Sequence, residues 1–214
     1  MSIDNIIKTR KTEKVLSDNQ QPISNNDELI EDLLELASTA PYHFKSNSHF
    51  TETKELDSTL PYRFYVADSK KCRSLSDYIE EKEIKAGKIK SMLNTADVLL
   101  LVTWLPEIED YGNVSHEAIP FVGNLKNMEH IAAASAAIQN VLIGANSRRL
   151  ANYWSSGGQL RNEPLRSYIG VPNDEILLGA IFIFPKGIIT NDKEVIKGAL
   201  RHEGKTISSW SKRV

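Results

Sequence analysis

Hydrophobic and polar positions follow one another along this chain in spacings that predict a series of short elements. Residues 3–7 mix apolar and polar side chains and run into the basic stretch 8–14, which predicts a short helix opening into a loop. After a turn-like stretch holding Pro22, Ser24 and Asn25, the run DELIEDLLELASTAP sets Leu29, Ile30, Leu33, Leu34 and Ala37 on one helical face. Pro41 stops that helix, because the residue before a proline is pushed out of the helical region. Residues 42–60 are rich in His, Ser, Thr and Lys without periodicity and predict an irregular loop, longer than most connections and of the kind that often carries function.

Tyr62–Ala67 has the aromatic and β-branched content of a strand, and residues 69 to about 92 predict a charged, solvent-facing helical region interrupted at Gly87. Val98–Trp104 is apolar almost throughout and predicts a central strand buried on both faces. A surface excursion with Pro106, Gly112 and Pro120 leads into the longest helix, 125–149, whose run of alanines leaves room for close helix packing. A shorter helix over 163–169, a second apolar strand over 175–184 and a basic tail ending in Trp210 complete the order. Helices covering a sheet of few strands predict one α+β domain over residues 1–214.

Composition narrows the function. The 214 residues are 41% hydrophobic and 25% charged with a net charge of -2, ordinary for a globular chain and unlike a nucleic-acid binder. The N-terminal stretch MSIDNIIKTRK lacks the apolar core of a secretory signal, and the most apolar stretch, 131–145, is shorter than a membrane span. With one cysteine, Cys72, no intramolecular disulfide forms, and the expected location is the cytoplasm, away from membranes. Cys72 lies between Lys71 and Arg73, which favour its thiolate, but without a partner for nucleophilic catalysis it reads as an exposed structural cysteine.

Several chemistries are disfavoured. No G-x-G-x-x-G follows a strand and no G-x-x-x-x-G-K-[ST] occurs, so the usual dinucleotide and nucleotide phosphate loops are missing. His43, His49, His116, His130 and His202 lack zinc-ligand spacing, although His43 and His49 share one loop. No G-x-S-x-G elbow marks a triad hydrolase. Asn113-Val114-Ser115 fits a glycosylation sequon, which a cytoplasmic chain does not use.

Four stretches, in order, resemble the nitroreductase family and together cover most of the chain. IIKTRKT resembles that family's R-R-S segment, with Arg10, Lys11 and Thr12 at its three positions. ASTAPYHFK, which includes Pro41, Tyr42 and His43, is similar to the segment after the family's second helix, and LPYRF to the Q-P-W-R-F that opens a strand. Here Leu60 and Tyr62 replace the glutamine and tryptophan, and an inserted loop, 44–59, separates the two stretches. The alanine-rich helix with Gln139 and Asn140 resembles the family's dimer-interface helix. LANYWSSGG resembles the G-x-G-x-x-W-R-T-G segment, with Trp154, Ser156 and Gly157 matching in kind and Ser155 in place of a common arginine. VPNDEILLGAIFIFPKG, with Val171, Pro172, Gly179 and Pro185, is similar to the strand that follows.

The resemblance implies a nitroreductase-like fold, an antiparallel-dominated central sheet flanked by helices, in a homodimer with FMN sites built from both chains. It implies that Arg10, Lys11 and Thr12 hold the FMN phosphate, a dianion suited to a guanidinium fork, an ammonium and a hydroxyl together. The late basic residues Arg201 and Lys205 are implied to reach the same phosphate. Pro41, Tyr42, His43, Gln139 and the Trp154-Ser155-Ser156-Gly157 backbone are implied to border the flavin, glycine letting the main chain come close to a planar ligand. The implied activity is ping-pong electron transfer from NADH or NADPH to a nitroaromatic or quinone, with the chemistry carried by the flavin and by no catalytic side chain. A flavin-binding relative with little turnover, motivated by Leu60, Ser155 and the 44–59 loop, and another flavin reaction such as dehalogenation or dehydrogenation are the alternatives, since fold does not fix function.

Overall fold

The computed structural model describes residues 2–52, 55–109, 111, 121–190, 193–198 and 206–214. Its centre is strand β3, Val98–Trp104, in which all residues are buried. A strand exposes alternate side chains to opposite faces. Val98, Leu100, Val102 and Trp104 pack into one core cluster, and Leu99 and Leu101 into another. Both faces of the sheet must therefore be covered.

The sheet is antiparallel throughout, in the order β2-β3-β5-β4, with β2 at Tyr62–Ala67, β4 at Asn152–Ser155 and β5 at Ile176–Ile183. On one face lie α2 (Asp27–Ser38) and α5 (Leu125–Ser147), burying Leu33, Ala37, Ala133, Ala134, Ala137 and Ile138. The other face is covered by α3 (Ser69–Glu81), α4 (Ile89–Leu93) and α6 (Leu165–Ile169). The helix α2 packs along α5 at Gly144, where an added Cβ would meet Leu36 and Leu33. Asp32 and Arg148 pair at 2.6 Å across the same contact.

Three strands went unforeseen. The short strand β1 (Glu13–Leu16) follows α1 (Ile3–Thr9) and pairs antiparallel with β6 (Glu194–Lys197) in a separate two-stranded sheet. Each is four residues of mixed polarity, too short to show a period. The strand β4 lies within the LANYWSSGG segment, again only four residues long. The solvent-facing helical region at 69–92 is also more buried than its charge suggests, for α3 buries Cys72, Leu75 and Ile79. Cys72 is thus not an exposed cysteine: it is fully buried, and burial pushes its thiol up to about 12 despite the neighbouring Arg73. The sequon at 113–115 lies outside the described residues.

The 42–60 loop, of which 53 and 54 lie outside the description, is irregular apart from one 3-10 turn at Ser48–Phe50. It is clamped by Arg63, whose Nη1 donates to the Leu60 carbonyl at 2.7 Å and whose Nη2 donates to those of Ser58 at 2.7 Å and Leu56 at 3.2 Å. Arg63 is buried although Leu56 and Ser58 are exposed, so its guanidinium anchors a solvent-facing loop from below. Replacing it with an apolar residue of similar length removes three charge-assisted hydrogen bonds at once. Arg63→Met is expected to destabilise the chain by about 2 to 3 kcal/mol, read as a lower urea midpoint; an unchanged midpoint would show that the loop holds itself.

Candidate functional site

At the C-terminal end of α5 the chain walls a half-open cavity of about 1140 Å³. Local folding explains why it forms there. Asn146 Nδ2 donates to the Ile6 carbonyl at 2.8 Å, tying the end of α1 to the end of α5. The chain then leaves α1 at Arg10, whose N–H donates to Ile6 O at 3.1 Å, and passes along the cavity wall into β1. On the far side, Gly198 N–H donates to Thr12 O at 3.0 Å, and an added Cβ at Gly198 would stand 3.1 Å from Thr12 Cβ. The β1-β6 pair thus fixes the segment 10–12 against the rest of the fold.

The cavity wall is strongly basic. It carries Lys8, Arg10, Lys11, Lys14, Arg149 and Lys197, and among the described residues Glu13 is the one carboxylate on it. Apolar surface comes from Leu150, Tyr153, Ile188 and Ile196. Lys14 Nζ lies 4.6 Å from the centre of the Tyr153 ring, so one wall presents a cation and an aromatic face together. Like charges gathered on a concave surface attract a multivalent anion.

The residues singled out from sequence fall into separate places. Arg10, Lys11 and Thr12 line the cavity. Trp154 to Gly157 do not, but they continue the strand whose Tyr153 does. Ser155 is buried and its Oγ accepts from Gly157 N–H at 3.2 Å; Gly157 holds φ at 103°, a conformation that suits glycine. Trp154 lies across β5 at Gly179, where an added Cβ would crowd the indole and stand 2.7 Å from Ser155 O.

Pro41, Tyr42 and His43 are exposed and far from the cavity. His43 Nδ1 pairs with Glu129 Oε2 at 3.0 Å, near the opposite end of α5 from Asn146. At 1.5 Å per helical residue those positions are about 25 Å apart. Gln139, half-buried midway along α5, does not line the cavity either. Within one chain the structure therefore does not bring Pro41, Tyr42, His43 and Gln139 to Arg10. Arg201 and Lys205 lie outside the described residues. His49 pairs with Asp174 at 2.8 Å, away from His43's partner, and no group of three or more metal-ligating side chains stands together among the described residues.

Lys14, Arg149, Tyr153 and Lys197 were not foreseen as site residues. Lys14 was legible as part of the basic run; Arg149 and Lys197 join it only through the tertiary fold.

An antiparallel sheet covered by helices on both faces, with this connectivity, is the nitroreductase-like fold. The nitroreductase family model matches residues 7–184, and the chain belongs to that family. A nitroreductase-like family protein from Bacillus cereus is 23% identical, with 100% of this chain and 96% of that one covered and a TM-score of 0.63. A nitroreductase from Desulfovibrio desulfuricans, solved in complex with FMN, is 18% identical over 89% of this chain and 90% of that one, with a TM-score of 0.56. A Bacteroides fragilis nitroreductase with bound FMN is 18% identical over 91% and 94%, at a TM-score of 0.52. No curated protein matches in sequence. Among the described residues no helix is long and apolar enough to cross a membrane.

Gly179→Ala is expected to displace the Trp154 indole and destabilise the chain by about 1 to 3 kcal/mol, as overpacking does. Tryptophan fluorescence and a thermal melt read both effects; a variant matching the wild type in each would show that the strand yields without moving Trp154.

Proposed function

We propose that this chain is an FMN-dependent oxidoreductase that takes electrons from NADH or NADPH and passes them to a small organic acceptor, a nitroaromatic or a quinone. The observation that carries this reading is the cavity wall, where a cluster of cations and an apolar, aromatic surface share one space of about 1140 Å³. FMN joins a phosphate dianion to a largely apolar planar ring, and it needs both kinds of surface within one pocket. The FMN bound by the Desulfovibrio and Bacteroides nitroreductases supports the same choice.

Arg10, Lys11 and Thr12 would hold the phosphate through charge-assisted hydrogen bonds. Ser156 lies about 10 Å along the strand from Tyr153, so one extended nucleotide can run from the basic wall to the Ser155–Gly157 backbone. When bound, FMN supplies the redox chemistry, accepting a hydride equivalent from the nicotinamide donor and delivering electrons to the acceptor. The chain's own part is to bind, orient and exclude water: Leu150, Ile188 and Ile196 shield the space, and no side chain is required as acid or base.

The distance between His43 and the cavity bears on assembly. If Pro41, Tyr42 and His43 border a flavin, they reach one held by Arg10 of a second copy, which makes the working unit a homodimer of the single 1–214 domain with sites shared between chains. Arg201 and Lys205 are proposed to join the phosphate site, and the cytoplasm is the proposed location.

Purified protein loaded with FMN is expected to consume NADH or NADPH steadily once a quinone or nitroaromatic is added. Flavin retained without donor consumption would instead mark a flavin binder. Arg10→Ala is expected to weaken FMN affinity by about 1.5 to 3 kcal/mol, the size of a charged hydrogen bond; unchanged flavin retention in that variant would remove Arg10 from the phosphate site.

A further inference from the structure

Arg149 stands where the backbone calls for glycine. It lies just past the last turn of α5, where Arg149 N–H donates to Asn146 O and Leu150 N–H donates to Ala145 O, each at 3.0 Å. This pair of bonds closes a helix only if the residue between turns left-handed, and Arg149 has φ 61°. A Cβ makes that conformation unfavourable, so glycine usually fills it. At the end of α6 glycine fills this position, Gly170 with φ 86° and Val171 N–H donating to Arg166 O at 3.2 Å; at the end of α3 Glu83 fills it, with φ 50° and Ile84 N–H donating to Ile79 O at 2.9 Å, but Glu83 does not line the cavity.

Arg149 is exposed, and other arginines of the fold, buried or not, have structural partners. Arg148 pairs with Asp32, Arg63 and Arg73 donate to loop carbonyls, and Arg161 donates to Ser156 O and Leu178 O. The Arg149 guanidinium has neither a hydrogen bond nor an ion pair among the described residues, and it lines the basic cavity. What sets Arg149 apart from Glu83 is its place on the cavity wall among Arg10, Lys11 and Lys14. Residues held in sparsely populated backbone regions cluster at ligand-binding positions.

We propose that Arg149 is a phosphate-binding residue of the cavity, gripping the FMN phosphate together with Arg10, and that it occupies a left-handed position at the expense of stability. The assignment rests on the reading that the cavity holds FMN. A planar guanidinium can engage two phosphate oxygens at once, which a lysine ammonium cannot match.

The test is a titration of the flavin-free full-length chain with FMN, followed by quenching of flavin fluorescence, alongside a thermal melt of the same flavin-free protein. Arg149→Gly is expected to bind FMN about tenfold to a hundredfold more weakly and yet to melt about 2 °C higher. Arg149→Lys, which keeps the charge and the strain, is expected to fall between in affinity and to gain no stability. Wild-type affinity in Arg149→Gly overturns the assignment and leaves the FMN reading standing. Weaker binding with a lower melting temperature marks a fold-supporting residue and also overturns it. A wild-type chain that takes up no FMN overturns both.

Discussion

Strand β3 offers no polar face, and most of the architecture answers the need to cover it twice. Its even-numbered residues require α5 and α2, and Leu99 and Leu101 require α3, α4 and their neighbours. Packing at protein density leaves little freedom in where a helix of the length of α5 can lie against such a sheet. Its close contact with α2 at Gly144 fixes it further. Once α5 is placed, its last turn determines where Asn146 can hold α1, and so where the segment 10–12 runs. The basic cavity is a consequence of that chain of constraints, reaching from a buried strand to an exposed set of cations.

The charges themselves are brought together from distant parts of the sequence. Lys8 to Lys14 come from the N-terminal segment, Arg149 from the end of α5, and Lys197 from β6. Each would be an ordinary solvated cation alone, and their mutual repulsion opposes bringing them onto one concave wall. That arrangement is understandable if an anion completes it. The same wall supplies Tyr153 and several aliphatic side chains, so the ligand it favours is charged at one end and apolar at the other. Buried Glu175, by contrast, belongs to the sheet: it accepts from Tyr65 and Thr103 hydroxyls, and burial raises its carboxyl above the ordinary range.

Long, strongly patterned elements were legible in the sequence. Tyr62–Ala67 and Val98–Trp104 stand where their composition predicts, and α2, α5 and α6 lie within the stretches whose periodicity or length marks them. The pairing of β1 with β6 was not legible, since four-residue strands with charged ends carry no period and their partner lies at the far end of the chain. Burial of Cys72 was hidden for a related reason: its flanking Lys71 and Arg73 suggest solvent, whereas α3 turns the cysteine inward and lets Arg73 reach carbonyls of Leu93 and Ala96. Of the site, Arg10, Lys11 and Thr12 stood out through resemblance, while Arg149 did not, because its peculiarity is a backbone angle. The distance from His43 to the cavity was likewise invisible before the fold placed them at opposite ends of α5.

The most direct test of this account is the visible absorption spectrum of the purified chain, with the released pigment identified after denaturation. The basic and aromatic cavity predicts a flavin spectrum and FMN as the pigment. A colourless protein that also fails to take up added FMN would contradict the account at its centre, leaving a nitroreductase-family fold whose cavity serves another anion.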